Sequence, residues 1–165
     1  MQAGHVAVPL IIASYAPELS GGQISSFSME SIIVSFVAHW FANFDGIPIM
    51  LGWVKKAFHC TWSHTILFAV LLSLLVLPFK PSWFMLVLVG SLSHLLTDMP
   101  SSVGLPVFLP FTRKRFTLNL WADTGILSWE SFKGTYLQAW TWILEGGAFL
   151  VLFIRAYQVG VWPFV

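Results

Sequence analysis

Charge is what this sequence has least of. Only 9% of its residues are Asp, Glu, Lys or Arg, where a soluble domain carries roughly a quarter. That leaves too little polar surface to cover a 165-residue globule in water, which excludes an ordinary soluble domain. Cysteine is almost missing as well. The single Cys60 excludes an intrachain disulfide and leaves the redox compartment open. The net charge is only +1 and no long basic run occurs, which argues against nucleic-acid binding. No charged segment precedes the first apolar stretch and no clean cleavage signal follows it, so the N-terminus reads as part of the fold. There is no internal repeat and no low-complexity tail.

What is present is hydrocarbon. Apolar residues make up 57% of the chain, and the mean hydropathy is +0.80. The expectation is an all-α fold: one integral membrane domain over 1–165, built as a multi-pass transmembrane bundle of about five helices with interfacial segments. Helices are required because lipid offers no partner to an open backbone. The spans read as 5–15, short for a crossing, then 27–44, 64–79, 82–98 and 136–157. Asp45-Gly46-Ile47-Pro48 reads as a turn, 49–58 as interfacial, and Lys80-Pro81 as a tight break. Residues 99–119 form a segment interrupted by Pro and Gly, with the basic cluster Arg113-Lys114-Arg115. Trp121 and Trp129 suit an interfacial stretch over 120–134.

Counting spans brings the polar residues together. If the 45–63 loop lies on one face, the helix from His64 leaves that face and its partner returns there at Asp98. Read backwards, the first helix also starts there. His5, Asp45, His59, His64, His94 and Asp98 then share one membrane face. His94 lies one turn below Asp98, and His39 one turn below Asn43. The loops of that face hold Lys55, Lys56, Arg113, Lys114, Arg115 and Lys133, against Lys80 and Arg155 opposite. The positive-inside rule makes it the cytoplasmic face.

Imidazole and carboxylate together suit a borderline divalent cation. His94 and Asp98, at i and i+4, share a helix face. Six residues are therefore candidate metal ligands: His5, Asp45, His59, His64, His94 and Asp98. Asp45 and Asp98 are also candidate catalytic carboxylates, able to orient a water that the cation activates. His39, beside Trp40, reads as an amphipathic interfacial residue, Cys60 as a small apolar filler or a soft ligand, and Glu145 as a carboxylate of the last span that pairs with Arg155 or a backbone group, or faces the cavity.

These motifs, in this order, resemble the YdjM-like family of predicted inner-membrane metal-dependent hydrolases. That family shows an early histidine, Leu-Pro-Asp-x-Asp, His-Arg-Gly-x-Thr-His-Ser, His-Leu-x-x-Asp, then a glycine and Pro-Phe with basic residues. The matching stretches here are His5, Phe41-Ala42-Asn43-Phe44-Asp45, His59-Cys60-Thr61-Trp62-Ser63-His64-Thr65, His94-Leu95-Leu96-Thr97-Asp98, Gly104 and Pro110 to Phe116, covering 5–116. Asn43 stands where the family has an Asp, and it cannot serve as a carboxylate base. Cys60 and Thr61 stand for Arg and Gly. The resemblance thus supports a metal site better than it supports catalysis.

The resemblance implies an inner-membrane, metal-dependent hydrolase using zinc or manganese. Its partner would be the bilayer. The family's substrate does not carry over; a membrane-proximal site next to basic residues points instead to an ester or phosphoester, with a lipid-like one among the candidates. Two alternatives stand beside it. One is a catalytically degenerate metal-binding scaffold. The other is a haem or ion-translocating protein with His39 and His94 as axial ligands.

Overall fold

The computed structural model describes residues 3–55, 58–122 and 129–161. Lys56, counted above among the basic loop residues, lies outside them, as does the side chain of Trp129. The architecture is all-helical. In order come α1 (Gly4–Ser14), α2 (Ala16–Leu19), α3 (Met29–Trp40), α4 (Gly46–Met50), α5 (Ile66–Val76), α6 (Phe84–Asp98), α7 (Trp129–Tyr136) and α8 (Ala139–Gln158). Among the described residues 3₁₀ turns at Phe41–Asp45, Trp62–His64 and Pro81–Trp83 join them. Among the described residues β-pairing is confined to two isolated bridges, Ser101 with Trp121 and Leu105 with Phe116.

The helix ends follow local chemistry. Ser28 caps α3 by accepting from the Ser31 amide, and the Thr65 hydroxyl caps α5 by accepting from the Phe68 amide. Extended Lys80 and Pro81 stop the α5–α6 hairpin, as the sequence indicates. The turn expected at Asp45-Gly46-Ile47-Pro48 is not one. The backbone stays helical from Met29 to Met50 through the 3₁₀ turn and α4. Pro48 is the third residue of α4, in the first turn, where no amide donor is needed.

Among the described residues two helices are long and apolar enough to cross a membrane by length and composition, Met29–Met50 and Ala139–Gln158. The helix expected over 64–79 is shorter, because His64 belongs to the preceding 3₁₀ turn and α5 has 11 residues. At 1.5 Å per residue that is about 16 Å, roughly half the hydrocarbon thickness.

Helix α6 is the hub, packing on α3, α5 and α1, while α8 packs along α1. One core cluster joins Ile12, Ala16, Ile24, Val34, Ala38, Leu86 and Val87. Small residues let the helices approach closely. A Cβ on Gly90 would sit 2.8 Å from the Ala38 Cβ, and the Ser91 hydroxyl donates to the Ala38 carbonyl at 3.2 Å. This contact sets α3 against α6 one turn before His94 and one residue before His39. At the other end of the bundle Glu30 pairs with Lys80 at 2.5 Å and accepts from the Trp83 indole at 2.6 Å.

Gly90→Leu should therefore force α3 off α6 at a cost of about 1–3 kcal/mol. Gly146→Leu, where the added Cβ meets nothing within 4 Å, should be near neutral. Thermal unfolding of the two purified variants in one detergent checks this.

Candidate metal centre

Four elements bring the histidines together. His5 lies in the first turn of α1, His39 near the end of α3, His94 two-thirds along α6, and His64 closes the 3₁₀ turn before α5. His39, His64 and His94 are fully buried and His5 nearly so. The rings pack as a cluster: His5, His39 and His94 lie 5.0–5.1 Å apart by centroid, and His64 lies 5.3 Å from His94. Asp98 sits one turn beyond His94 in α6 and faces three of these rings.

Hydroxyl hydrogen bonds fix the tautomers. The Ser63 hydroxyl donates its one proton to Asp45 Oδ2 at 2.8 Å. At His64 Nδ1, 2.9 Å away, Ser63 must then accept. The Nδ1 of His64 therefore carries the proton, and in the neutral ring Nε2 is bare. The same logic holds across α3 and α6. Ser93 donates to the Gly90 carbonyl, so it accepts from His39 Nδ1 at 2.8 Å. His39 Nε2 is then an acceptor, and His5 Nδ1 donates to it at 2.9 Å. Thr97 donates to the His94 carbonyl, so its oxygen also accepts from His5 Nδ1, at 3.3 Å. In neutral His5 the bare nitrogen is Nε2.

Those two bare nitrogens, and Nε2 of His94, face one carboxylate. His5 Nε2 is 3.2 Å from Asp98 Oδ1, and His64 Nε2 is 3.6 Å from Oδ2. His94 Nε2 is 3.2 Å from Oδ2. None of the three has hydrogen-bond alignment. Buried His64 Nε2 and both His94 nitrogens have no hydrogen-bond partner. Lone pairs facing a carboxylate repel unless a proton or a cation lies between them. With ligand bonds of about 2.0–2.1 Å, the edge of a tetrahedral zinc site is about 3.3 Å. The three N–O separations match that edge. His64, His94 and Asp98 offer ligand atoms all within 4.8 Å of one another, as do His5, His39 and His94, and His59, Cys60 and His64.

Behind His64 stands a second layer. Cys60 adopts a left-handed backbone (φ 55°), uncommon for a residue with a Cβ. This reverses the chain and sets the rings of His59 and His64 5.1 Å apart. His59 Nδ1 bonds Asp45 Oδ1 at 2.8 Å. That bond, with one to Cys60, outweighs burial and holds the His59 pKa up at about 10. At His64 burial works against the charged ring. With no cation bound, the Asp98 carboxylate and Cys60 outweigh it, raising the pKa to about 9, so a cation at Nε2 would take the place of a proton there. The loop is thus built to hold positive charge. The Arg115 guanidinium reaches back to it, donating to the Gly104 carbonyl at 3.0 Å and the Cys60 carbonyl at 3.4 Å.

The residues foreseen from the sequence all converge, but in two layers. His64, His94 and Asp98 form the inner donor group, with His5 beside Asp98 at 3.2 Å. Asp45 bonds His59 and Ser63, so it orients His64 from behind, as carboxylates do around metal-bound histidines. Asn43 takes no part in the cluster's hydrogen bonds or ion pairs. The residue missed is His39, which sequence reading left at the interface beside Trp40. The signal was the depth count: His39 below Asn43 and His94 below Asp98 lie at matching depth. Both His39 nitrogens are spent on His5 and Ser93, so the haem arrangement has no free axial ligand there.

The model of the YdjM inner membrane protein family matches residues 1–162 of the chain. Neither the curated proteins nor the solved structures gave a match.

Ser63→Ala and His39→Phe each free a ligand histidine to turn. Each should lower divalent-cation affinity by about 10–100-fold, read by competition with a chromogenic chelator. Ser73→Ala, whose hydroxyl bonds only the Ala69 carbonyl in its own helix, should leave that affinity unchanged.

Proposed function

The chain belongs to the YdjM inner membrane protein family, and from that premise we propose that it is a multi-pass, metal-dependent hydrolase of esters or phosphoesters. The observation that carries the reading is the convergence of Nε2 of His5, His64 and His94 around Asp98 at 3.2–3.6 Å, two of them left bare by the hydroxyl hydrogen bonds behind them. A histidine-rich set with one carboxylate suits zinc, with manganese next. Such a cation supplies Lewis acidity, polarising a substrate oxygen and acidifying a water.

The chain's own groups do the rest. Asp45, through Ser63 and His59, fixes the tautomer and angle of His64. His59, kept protonated at neutral pH by Asp45, offers a positive N–H toward negative charge developing on a phosphoryl or acyl oxygen. Asp98 is both ligand and the carboxylate nearest the donor set, so it is the group available to hold a water's proton.

In the membrane, α1, α3, α5, α6 and α8 are the five passes, with α1 and α5 short. The metal centre opens on the cytoplasmic face of the inner membrane. The support for that side is the excess of Lys and Arg in its loops. The opposite end holds the Glu30–Lys80 pair and the Arg155–Glu18 pair.

A second reading has one observation in its favour. Asn43 occupies the place of a family carboxylate and stands outside the cluster's bonds, so the chain would be a metal-binding scaffold without turnover.

Elemental analysis of the purified protein separates these. The hydrolase reading expects a bound transition metal in the wild type, its loss in His64→Ala and His94→Ala, and metal-dependent turnover on an ester and phosphoester panel. Metal-free wild type sinks both readings. Bound metal with no turnover, and no gain in Asn43→Asp, leaves the scaffold.

A further inference from the structure

We propose that the groove between α3, α5 and α6 holds the hydrocarbon chain of a single-chain amphiphile, presenting its polar head to the metal centre. For the head, this rests on the hydrolase reading above.

The groove encloses a cavity of about 250 Å³, and its wall is wholly apolar. Val37 and Phe41 of the α3 side, Leu72 and Val76 of α5, and Trp83 and Val87 at the start of α6 line it. The one polar atom of Trp83 is turned away, donating to Glu30. Ile33 and Val37 are about half exposed, so the groove opens sideways. On a helix long and apolar enough to cross a membrane, sideways means toward lipid.

Its long axis runs with the helices. From Trp83 to His94, α6 rises about 16 Å, so the groove is aligned as an acyl chain is. Its upper end reaches the site. Phe41 stacks on Phe68 with centroids 6.0 Å apart. Phe41 opens the 3₁₀ turn that ends at Asp45, and Phe68 lies one turn after His64, held there by the Thr65 cap. On the third wall Val87 precedes His94 by two turns on the same face of α6. A chain in the groove therefore ends, on two helices independently, one to two turns from the inner donor set. Lipid tails are as apolar as this wall. The groove's contribution is orientation, holding the scissile group at a fixed height.

The test uses the full-length, metal-loaded protein in phosphatidylcholine nanodiscs. The probe is palmitoyl lysophosphatidic acid carrying a diazirine in its chain. Irradiation should label peptides of 33–41, 72–76 and 83–87. Excess unlabelled palmitoyl lysophosphatidate should compete, and the butyryl analogue should not. Palmitoyl glycerol, with an ester head and no phosphate, is the parallel competitor that separates ester from phosphoester recognition. Val37→Trp and, on the facing wall, Leu72→Trp should each cut labelling at least tenfold while metal content stays unchanged.

Labelling that excess competitor does not reduce, or that falls equally on α8 and ignores both substitutions, marks surrounding lipid and overturns the groove. In metal-loaded protein that result leaves the hydrolase reading standing. Competed, groove-confined labelling in protein that binds no metal does the reverse.

Discussion

The structure depends on one carboxylate. Asp98 lies within 3.2–3.6 Å of nitrogens from three histidines carried on three separate elements. Two of those nitrogens are held bare by hydroxyl relays that reach back into the protein. Serine hydroxyls spend their single protons on Asp45 and on the Gly90 carbonyl. The consequence travels through His64 and through His39 to His5. A polar core of this kind is costly in a greasy chain unless every group is answered. Within the histidine cluster the nitrogens left without a hydrogen-bond partner are His64 Nε2 and both nitrogens of His94, and two of these three face Asp98.

The helix packing serves the same end. Gly90 and Ala38 bring α3 and α6 close enough for His39 and His94 to touch. Larger residues there would separate the two halves of the cluster before affecting the apolar core. Ser91 adds to that approach by donating across it to the Ala38 carbonyl, as small polar residues do between membrane helices. The site and the fold therefore share one tolerance, the distance between two helix axes.

Much of this was legible in the sequence. Composition dictated helices. Counting turns from one loop placed six candidate ligands at a single end, and in the structure their side chains lie close together. Residue spacing alone could not separate Asp98, which faces the nitrogens, from Asp45, which stands behind His64. That division depends on where two hydroxyl protons go. His39 was overlooked because an isolated histidine beside a tryptophan looks interfacial, and its partner lies 34 residues away at His5. Asp45-Gly46 misled in the other direction. Turn-forming residues stayed helical because the first turn of α4 needs no amide from Pro48. The span over 64–79 came out short because Thr65, an N-cap within the apolar run, starts the helix after His64.

Helix α8 contributes nothing to the donor group, yet it grips the helix that sets His5 beside it. At one end of α1 the Ala3 amide donates to the Tyr136 hydroxyl, just before α8 begins, at 2.9 Å. At the other end Arg155 reaches the Ser14 carbonyl and Glu18. The helix bearing His5 is made early in the chain and its outer support comes more than a hundred residues later. At roughly 5–20 residues per second, the wait is on the order of ten seconds during synthesis. Until then the helix bearing His5 lacks the two anchors that fix its ends.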